Sequence, residues 1–361
     1  MSVGNMYKIF LFLFGCMTAV IGFSACSGSE ETPSVVDDRL LALGHQHLSE
    51  YDFFKGNQAE LQPMGRVFPY DLNTALFSDY AYKARFISLP EDSAMHYREN
   101  DVLHFPTGTT LIKTFYMPAD FRDASKGRRL LETRLLIRET NGWKALPYIW
   151  NDEQTDAYLE ITGSTMPVNW VDSEGGERFN QYSVPTMAQC KSCHIRGDVM
   201  VPIGPTPGQL NRDLPIAFVE RNQLQYFAEI GILEGLPEND IPKSPVWNDP
   251  STGSLHDRAM TYLDINCGHC HNPDGPANTS ALVLTAYERD PANWGVFKKP
   301  IAAGRGSGGR SFSIVPGDPH ASILLYRMES TDPGIMMPEV GRKLAHDEGI
   351  ALIRAWIAHL E

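Results

Sequence analysis

The chain has 361 residues, of which 42% are hydrophobic, and its formal net charge is −13. This length and composition are typical of a globular protein with two or three domains. The acidic balance argues against nucleic acid and anionic lipid headgroups as partners, because both repel a negatively charged surface.

The N-terminal segment has the pattern of an exported lipoprotein. A lysine precedes an apolar run of about 15 residues, shorter than the roughly 20 needed to span a bilayer. The string Phe23-Ser24-Ala25-Cys26 then resembles a bacterial lipobox. We therefore expect a signal peptide over residues 1–25, acylation of Cys26 and a polar tether and linker over residues 26–47. The alternatives are an uncleaved membrane anchor and a simple cleaved signal that leaves the Cys26 thiol free.

Residues 48–180 have the pattern of a β-rich domain. Short runs of β-branched and aromatic residues are separated by turn residues, as in antiparallel sheets. Residues 133–139 and 143–150 flank Thr140-Asn141-Gly142, which predicts a hairpin. We expect an antiparallel sandwich or sheet whose aromatic side chains pack in its core.

Residues 181–248 contain the first of two Cys-x-x-Cys-His motifs, Cys190-Lys191-Ser192-Cys193-His194. Two thiols one turn apart, followed directly by a histidine, form the attachment signature of c-type haem. The motif predicts covalent attachment at Cys190 and Cys193, with His194 as an axial ligand of the iron. The sequence does not decide which group occupies the distal position of this iron. Its candidates are Met200, which is close in sequence, Met187, His256, Met260, or no side chain at all.

Residues 249–361 contain the second motif, Cys267-Gly268-His269-Cys270-His271. The same reasoning assigns Cys267 and Cys270 to covalent attachment and His271 to the iron. Met337, directly before Pro338, is the predicted distal ligand, and Met336 is the less favoured alternative. Both methionines can also be core residues, which is the usual role of methionine.

The two motifs have other interpretations. Their four cysteines would suffice for one structural Cys₄ zinc site, although zinc does not require a histidine after each pair. A thioredoxin-like dithiol requires a βαβ context, which the sequence around both motifs lacks.

Helical patterns flank the second motif. Ser254 and Asp257 form a predicted capping box before an apolar helical face that leads to Cys267. Asp347 begins a terminal helix with a second apolar face. The order of helix, motif, Met-Pro loop and final helix resembles a class I cytochrome c domain. We therefore predict an α+β multidomain fold, with an N-terminal antiparallel β-rich domain followed by a mostly α-helical cytochrome c-type haem domain.

The whole mature chain resembles a family of bacterial diheme c-type cytochrome lipoproteins. The segments that carry the resemblance are residues 68–73 (FPYDLN), 76–79 (LFSD), 150–157 (WNDEQTDA), 209–212 (QLNR), 316–319 (PGDP) and 337–338 (MP). The resemblance implies two c-type haems, electron transfer, redox proteins as partners and a lipid anchor in the periplasm or at the outer membrane.

Two function classes remain open. The first is an electron carrier outside the cytosol, attached to a membrane. The second is a peroxidase-like haem enzyme with an open first haem and the second haem as electron relay, because access to the iron separates activation of small molecules from simple electron transfer. A binding function of the β-rich domain is a third, weaker hypothesis.

Overall fold

A computed structural model describes residues 43–216, 219–301 and 303–361 of the chain. The predicted signal peptide, Cys26 and residues 26–42 of the predicted tether lie outside the described residues. Within the described part of the chain, no helix combines the length and the apolar character that a membrane crossing requires.

A six-stranded antiparallel sheet with the strand order β1-β2-β4-β5-β6-β7 is the largest element. The strands of the chain are β1 (Val67–Tyr70), β2 (Tyr82–Ser88), β3 (Met95–His96), β4 (Thr110–Pro118), β5 (Arg128–Glu139), β6 (Gly142–Trp150), β7 (Ala157–Leu159), β8 (Ser164–Val171), β9 (Glu177–Val184), β10 (Ile195–Arg196), β11 (Val199–Met200), β12 (Asp213–Ile216), β13 (Val219–Asn222) and β14 (Leu233–Glu234). Four two-stranded pairs accompany the large sheet: β8-β9, β10-β11, β12-β13 and the parallel pair β3-β14. The hairpin predicted at Thr140-Asn141-Gly142 is confirmed, because it joins the antiparallel strands β5 and β6.

The two faces of the large sheet pack differently. On one face, Phe86, Ile112, Leu135 and Leu146 are register partners on four neighbouring strands and are buried in a core that includes Leu48. Because side chains alternate between faces, the residues next to these in sequence point to the other face. That second face lies toward the two Cys-x-x-Cys-His motifs.

The helices lie in the second half of the chain. They are α1 (Met187–His194), α2 (Pro207–Leu210), α3 (Gln223–Glu229), α4 (Leu255–Leu263), α5 (Pro291–Trp294), α6 (Ile323–Glu329) and α7 (Asp347–Ala358). Helices α4 and α7 pack on one another, and their apolar faces share a core that contains Leu263, Ile353 and Trp356.

The predicted fold class is wrong. Strand is the commoner regular structure in the described residues, and the helices of residues 249–361 cover less than half of that segment. The described chain therefore contains no mostly α-helical cytochrome c domain. The cause is visible between α4 and α7, where glycine and proline recur and neither residue favours continuation of a helix.

Candidate functional site

The first motif lies on α1. Thr186 caps the helix: its side chain accepts a hydrogen bond from the Gln189 backbone, and the Gln189 side chain accepts one from the Thr186 backbone. Residues three and four positions apart on a helix share a face, so Cys190, Cys193 and His194 lie together. The sequence shows no helical pattern here, because the helix spans only eight residues. The cap and the contacts with β6 stabilise it.

His194 is oriented through one of its ring nitrogens. Its Nδ1 lies 2.8 Å from the carbonyl oxygen of Val201, and a carbonyl can only accept, so Nδ1 carries the proton. Nε2 is then the nitrogen with a lone pair, which is the arrangement found in histidines that bind metals. Burial lowers the pKa of His194 to about 4, so the ring is neutral at pH 7.

The second motif follows α4 through a π-helical turn, Asp264–Gly268. The predicted capping box of α4 is confirmed: Ser254 Oγ accepts from the Asp257 backbone, and the Asp257 side chain accepts from the Ser254 backbone. After the turn, the Cys267 carbonyl accepts hydrogen bonds from the backbone N–H groups of Cys270 and His271, at 3.0 and 2.9 Å. The backbone therefore folds back at the motif and brings its side chains to one side.

His271 is oriented in the same way as His194. Its Nδ1 lies 3.0 Å from Ser280 Oγ, and that hydroxyl donates its own proton to the Ala277 carbonyl, so it accepts from His271. Nε2 again keeps its lone pair, and burial lowers the pKa of His271 to about 4. Both motif histidines are therefore neutral side chains with Nε2 available as a ligand atom.

The two motifs meet in space. Cys193 and Cys270 line the same cavity, and their proximity lowers the pKa of Cys193 and raises that of Cys270. A backbone bond of 2.7 Å from the Gly197 N–H to the Asp274 carbonyl joins the segments that follow the two motifs. The motifs, far apart in sequence, thus form one continuous site.

Two cavities flank this contact. The first, of about 140 Å³, is lined by Cys190, Cys193 and His194 of the first motif, and by Cys267. The second, of about 410 Å³, is lined by Cys193, Cys267, Cys270 and His271. Each motif histidine therefore faces its own cavity, while Cys193 and Cys267 contribute to the walls of both.

Met337 lines both cavities, whereas Met336 is buried outside the lining of either. The loop that carries Met337 is held by Arg342, whose guanidinium donates to the Met337 carbonyl at 2.8 Å. Of the two candidate methionines, only Met337 is therefore placed beside the motifs.

The candidates for the distal position of the first motif lie elsewhere. Met200 is on β11 and lines neither cavity. Met187 packs against the core of the large sheet, and Met260 is buried in the core between α4 and α7. His256 Nδ1 accepts a hydrogen bond from the Trp356 indole at 3.1 Å. Sequence analysis missed several side chains of the first cavity, among them His269, at a variable position inside the second motif, and His346, which lies in no motif.

The prediction of two c-type haems as cofactors requires correction. The described residues contain no group of three or more histidine, cysteine, aspartate or glutamate side chains placed to hold a metal ion. Instead of two separate attachment sites, the second cysteine of the first motif contacts that of the second. The same finding contradicts the Cys₄ zinc alternative. The axial roles of His194, His271 and Met337 stay a prediction.

No protein-family model, no curated protein and no solved structure matches the chain.

Proposed function

We propose that this chain is an electron-transfer protein that works outside the cytosol, with its redox chemistry at the two Cys-x-x-Cys-His motifs. The observation that carries the proposal is the contact between the motifs, in which Cys193 partners Cys270 and lines both cavities. Redox centres held at such a contact exchange electrons over a short distance. The resemblance of the motifs to those of c-type cytochromes points to the same function.

The state of the histidines supports the proposal. Each motif histidine is neutral at pH 7 and has its Nδ1 occupied, so Nε2 keeps a lone pair at the site. Met337 offers a thioether beside both cavities, and a thioether ligand favours the reduced state of a redox centre. These groups suit a carrier that changes its charge with little movement of its ligands.

The decisive experiment is a redox titration of the full-length protein purified from the cell envelope. We expect a reversible couple in the wild type. Replacement of Cys190 and Cys193 by alanine should remove the contribution of one site, and replacement of Cys267 and Cys270 that of the other. Mass spectrometry of the motif peptides identifies what the thiols carry. A wild-type protein without any reversible couple would sink the proposal.

Met337 and Met336 form a matched pair for a second experiment. Met337→Ala should lower the reduction potential of the site, because a sulfur ligand that favours the reduced state is lost. Met336→Ala removes the neighbouring methionine, which lines neither cavity, and should leave the potential unchanged. Equal shifts in the two variants would assign both effects to packing and contradict the role of Met337.

Attachment to a membrane through Cys26 is part of the proposal. The lipobox-like string before Cys26 supports it. Cys26→Ala should move the protein from the membrane fraction to the soluble fraction, whereas Cys16→Ala, which alters a cysteine of the predicted signal peptide, should not. Retention of the Cys26→Ala protein on membranes would contradict the anchor.

A redox enzyme is the second candidate. Met200, Met187, His256 and Met260 all lie outside the lining of the cavity beside His194, so none of the predicted distal ligands occupies that position. A small oxidant such as hydrogen peroxide would then have access to the first site. Stopped-flow oxidation of the reduced protein by hydrogen peroxide tests this candidate. A saturable, fast reaction favours the enzyme, and a slow reaction with no saturation favours the carrier.

A further inference from the structure

Residues 291–317, from the start of α5 to the loop before α6, differ in charge from the rest of the chain. This stretch contains four cationic residues and no aspartate or glutamate, whereas the whole chain has a formal net charge of −13. The cations are Lys298, Lys299, Arg305 and Arg310. A local excess of positive charge on an acidic protein favours acidic partners at that place.

The same stretch exposes two large apolar side chains. Phe297 is 58% exposed and Ile301 is 57% exposed. They are four residues apart, so their Cα atoms lie within about 14 Å of one another. Phe312 packs against the Phe297 ring, with the two ring centroids 5.7 Å apart. Exposed apolar side chains that lie together and have charges around them are typical of a protein-binding surface.

This surface borders the second cavity. Its residues Pro300 and Ile301 line that cavity together with His271. The Gly306 backbone lies against Arg327, which lines the cavity as well, because a Cβ atom at Gly306 would be 3.1 Å from Cζ of Arg327. A protein that covers this surface therefore lies beside the second motif.

The cations of the surface keep their positive charge. Within residues 43–216, 219–301 and 303–361, Arg305 is the one cation of this surface in an ion pair, with Asp332 at 3.4 Å. Both partners of that pair are exposed, so it contributes little. Arg310 lies over the Tyr326 ring, 4.0 Å from its centroid, and donates to the His320 carbonyl at 2.7 Å. These contacts hold the Arg310 side chain without removing its charge.

Two acidic side chains of this region already have cationic partners. Glu339 lines the second cavity and faces Arg327, with 3.7 Å between the carboxylate oxygen and the guanidinium nitrogen. Glu329, at the end of α6, pairs with Arg354. Neither carboxylate neutralises the surface, whose positive charge is left for a partner.

We propose that an acidic protein with apolar side chains at the centre of its contact area docks on this basic surface. The surface consists of Phe297, Lys298, Lys299, Ile301, Arg305 and Arg310. The statement that this partner exchanges electrons with the second motif rests on the proposed function. The docking itself rests on the charges and the exposed apolar side chains alone.

Two other occupants fit this surface less well. An anionic membrane extends beyond it and meets the acidic remainder of the chain, whereas a protein contacts the cations while charges more than about 8 Å away are screened at physiological salt. A second copy cannot place its own basic surface on this one, because the like charges repel. It would need a head-to-tail contact, which repeats into rings or fibres.

Fluorescence anisotropy of a labelled acidic peptide tests the surface in the exported full-length protein, solubilised in a non-ionic detergent. The peptide has a leucine and a phenylalanine with three glutamates on each side. We expect saturable binding at low salt. Lys298→Glu combined with Lys299→Glu should weaken it by about tenfold, because two attractions become repulsions. Lys55→Glu combined with Lys243→Glu makes the same change of charge at two exposed lysines elsewhere and should bind as the wild type does.

The apolar centre of the surface has a matched pair of variants as well. Phe297→Ala should weaken binding by about threefold or more, because apolar area that the peptide buries is lost. Phe179→Ala removes a phenylalanine that is 55% exposed on β9 and should leave the affinity unchanged. A peptide with serine at both apolar positions should bind the wild type more weakly than the original peptide, which separates docking from charge attraction alone.

Equal affinity of the wild type and the Lys298→Glu, Lys299→Glu variant would overturn the proposal. Self-association of the wild type in sedimentation velocity, abolished in the same variant, would assign the surface to a second copy instead. Slower amide hydrogen exchange at residues 297–301 in phosphatidylglycerol vesicles than in phosphatidylcholine vesicles would assign it to a membrane. Peptide binding requires no electron transfer, so its failure is distinguishable from the absence of a reversible couple.

Discussion

At the level of single residues, the position of Met337 depends on Arg342, which is buried beneath the loop. The Arg342 guanidinium donates to backbone carbonyls of residues 327, 328, 330, 337 and 344, at 2.8 to 3.3 Å. These acceptors lie at the end of α6 and along the loop that leads to α7. The hydrogen bonds of one side chain thus hold this loop, which has no regular secondary structure.

Arg342→Met tests this role. We expect the free energy of unfolding to fall by about 3 kcal/mol, because several buried carbonyls lose a charged donor. Urea unfolding measures the change. Arg305→Met is the control, since the Arg305 side chain is 70% exposed and its replacement should cost less than about 0.5 kcal/mol. Equal small losses in the two variants would show that the loop does not depend on Arg342.

Lys113 should make stability depend on pH. Its pKa in the folded protein is about 7, against 10.5 for an unperturbed lysine. Between these values the unfolded chain binds a proton that the folded protein releases, so the free energy of unfolding rises with pH. The wild type should gain about 1 kcal/mol per pH unit between pH 7 and 9 relative to Lys113→Met. Urea unfolding measures this. Parallel pH profiles of the two proteins would contradict the lowered pKa.

At the level of elements, the packing of α4 on α7 supports the second motif. Ile353 on α7 is fully buried in the core that contains Leu263 and Tyr262 of α4. The second motif follows α4 directly, so the orientation of α4 determines where Cys267 lies.

Ile353→Ala should therefore destabilise the protein by about 2 to 4 kcal/mol, through lost apolar burial and the cavity left behind. Ile301→Ala is the matched control, because Ile301 is 57% exposed and should cost under about 1 kcal/mol. Thermal unfolding followed by circular dichroism compares the two variants. A loss at Ile353 no larger than that at Ile301 would show that this contact is not part of the stable core.

Sequence reasoning located elements where local signals are strong. The capping box at Ser254 and the hairpin turn at Asn141 depend on neighbouring residues, and both are present. Helix α1 was missed because its eight residues include no apolar period. The predicted helical domain was wrong because most of residues 268–346 lies outside helices and is held by loop hydrogen bonds such as those of Arg342. Such bonds leave no periodic pattern in the sequence.

At the level of the whole molecule, Asp79 links the sheet region to the loop that follows Met337. Its carboxylate is 2% exposed and accepts from the backbone N–H groups of Lys343 and Leu344, at 2.8 and 2.9 Å, and from the Asn180 amide at 3.0 Å. The φ angle of Asp79 is +50°, in the left-handed region that asparagine also tolerates.

Asp79→Asn should cost about 2 kcal/mol, because the charged acceptor of these bonds is lost while the backbone conformation is kept. Amide hydrogen exchange at Lys343 and Leu344 should accelerate in step with the loss. Asp198→Asn, at an exposed position, is the control and should leave both measurements unchanged. Unaltered exchange at the two amides would show that Asp79 does not hold the loop.

The sequence by itself determined the two Cys-x-x-Cys-His motifs, the chemistry of their side chains and the preference for Met337 over Met336. These depend on spacing along the chain, which folding does not change. Only the tertiary structure decided that the motifs touch at Cys193 and Cys270, and that Lys113 lies between two arginines beside the first cavity. Strand register and loop packing join residues far apart in sequence, and no local pattern specifies which of them become neighbours.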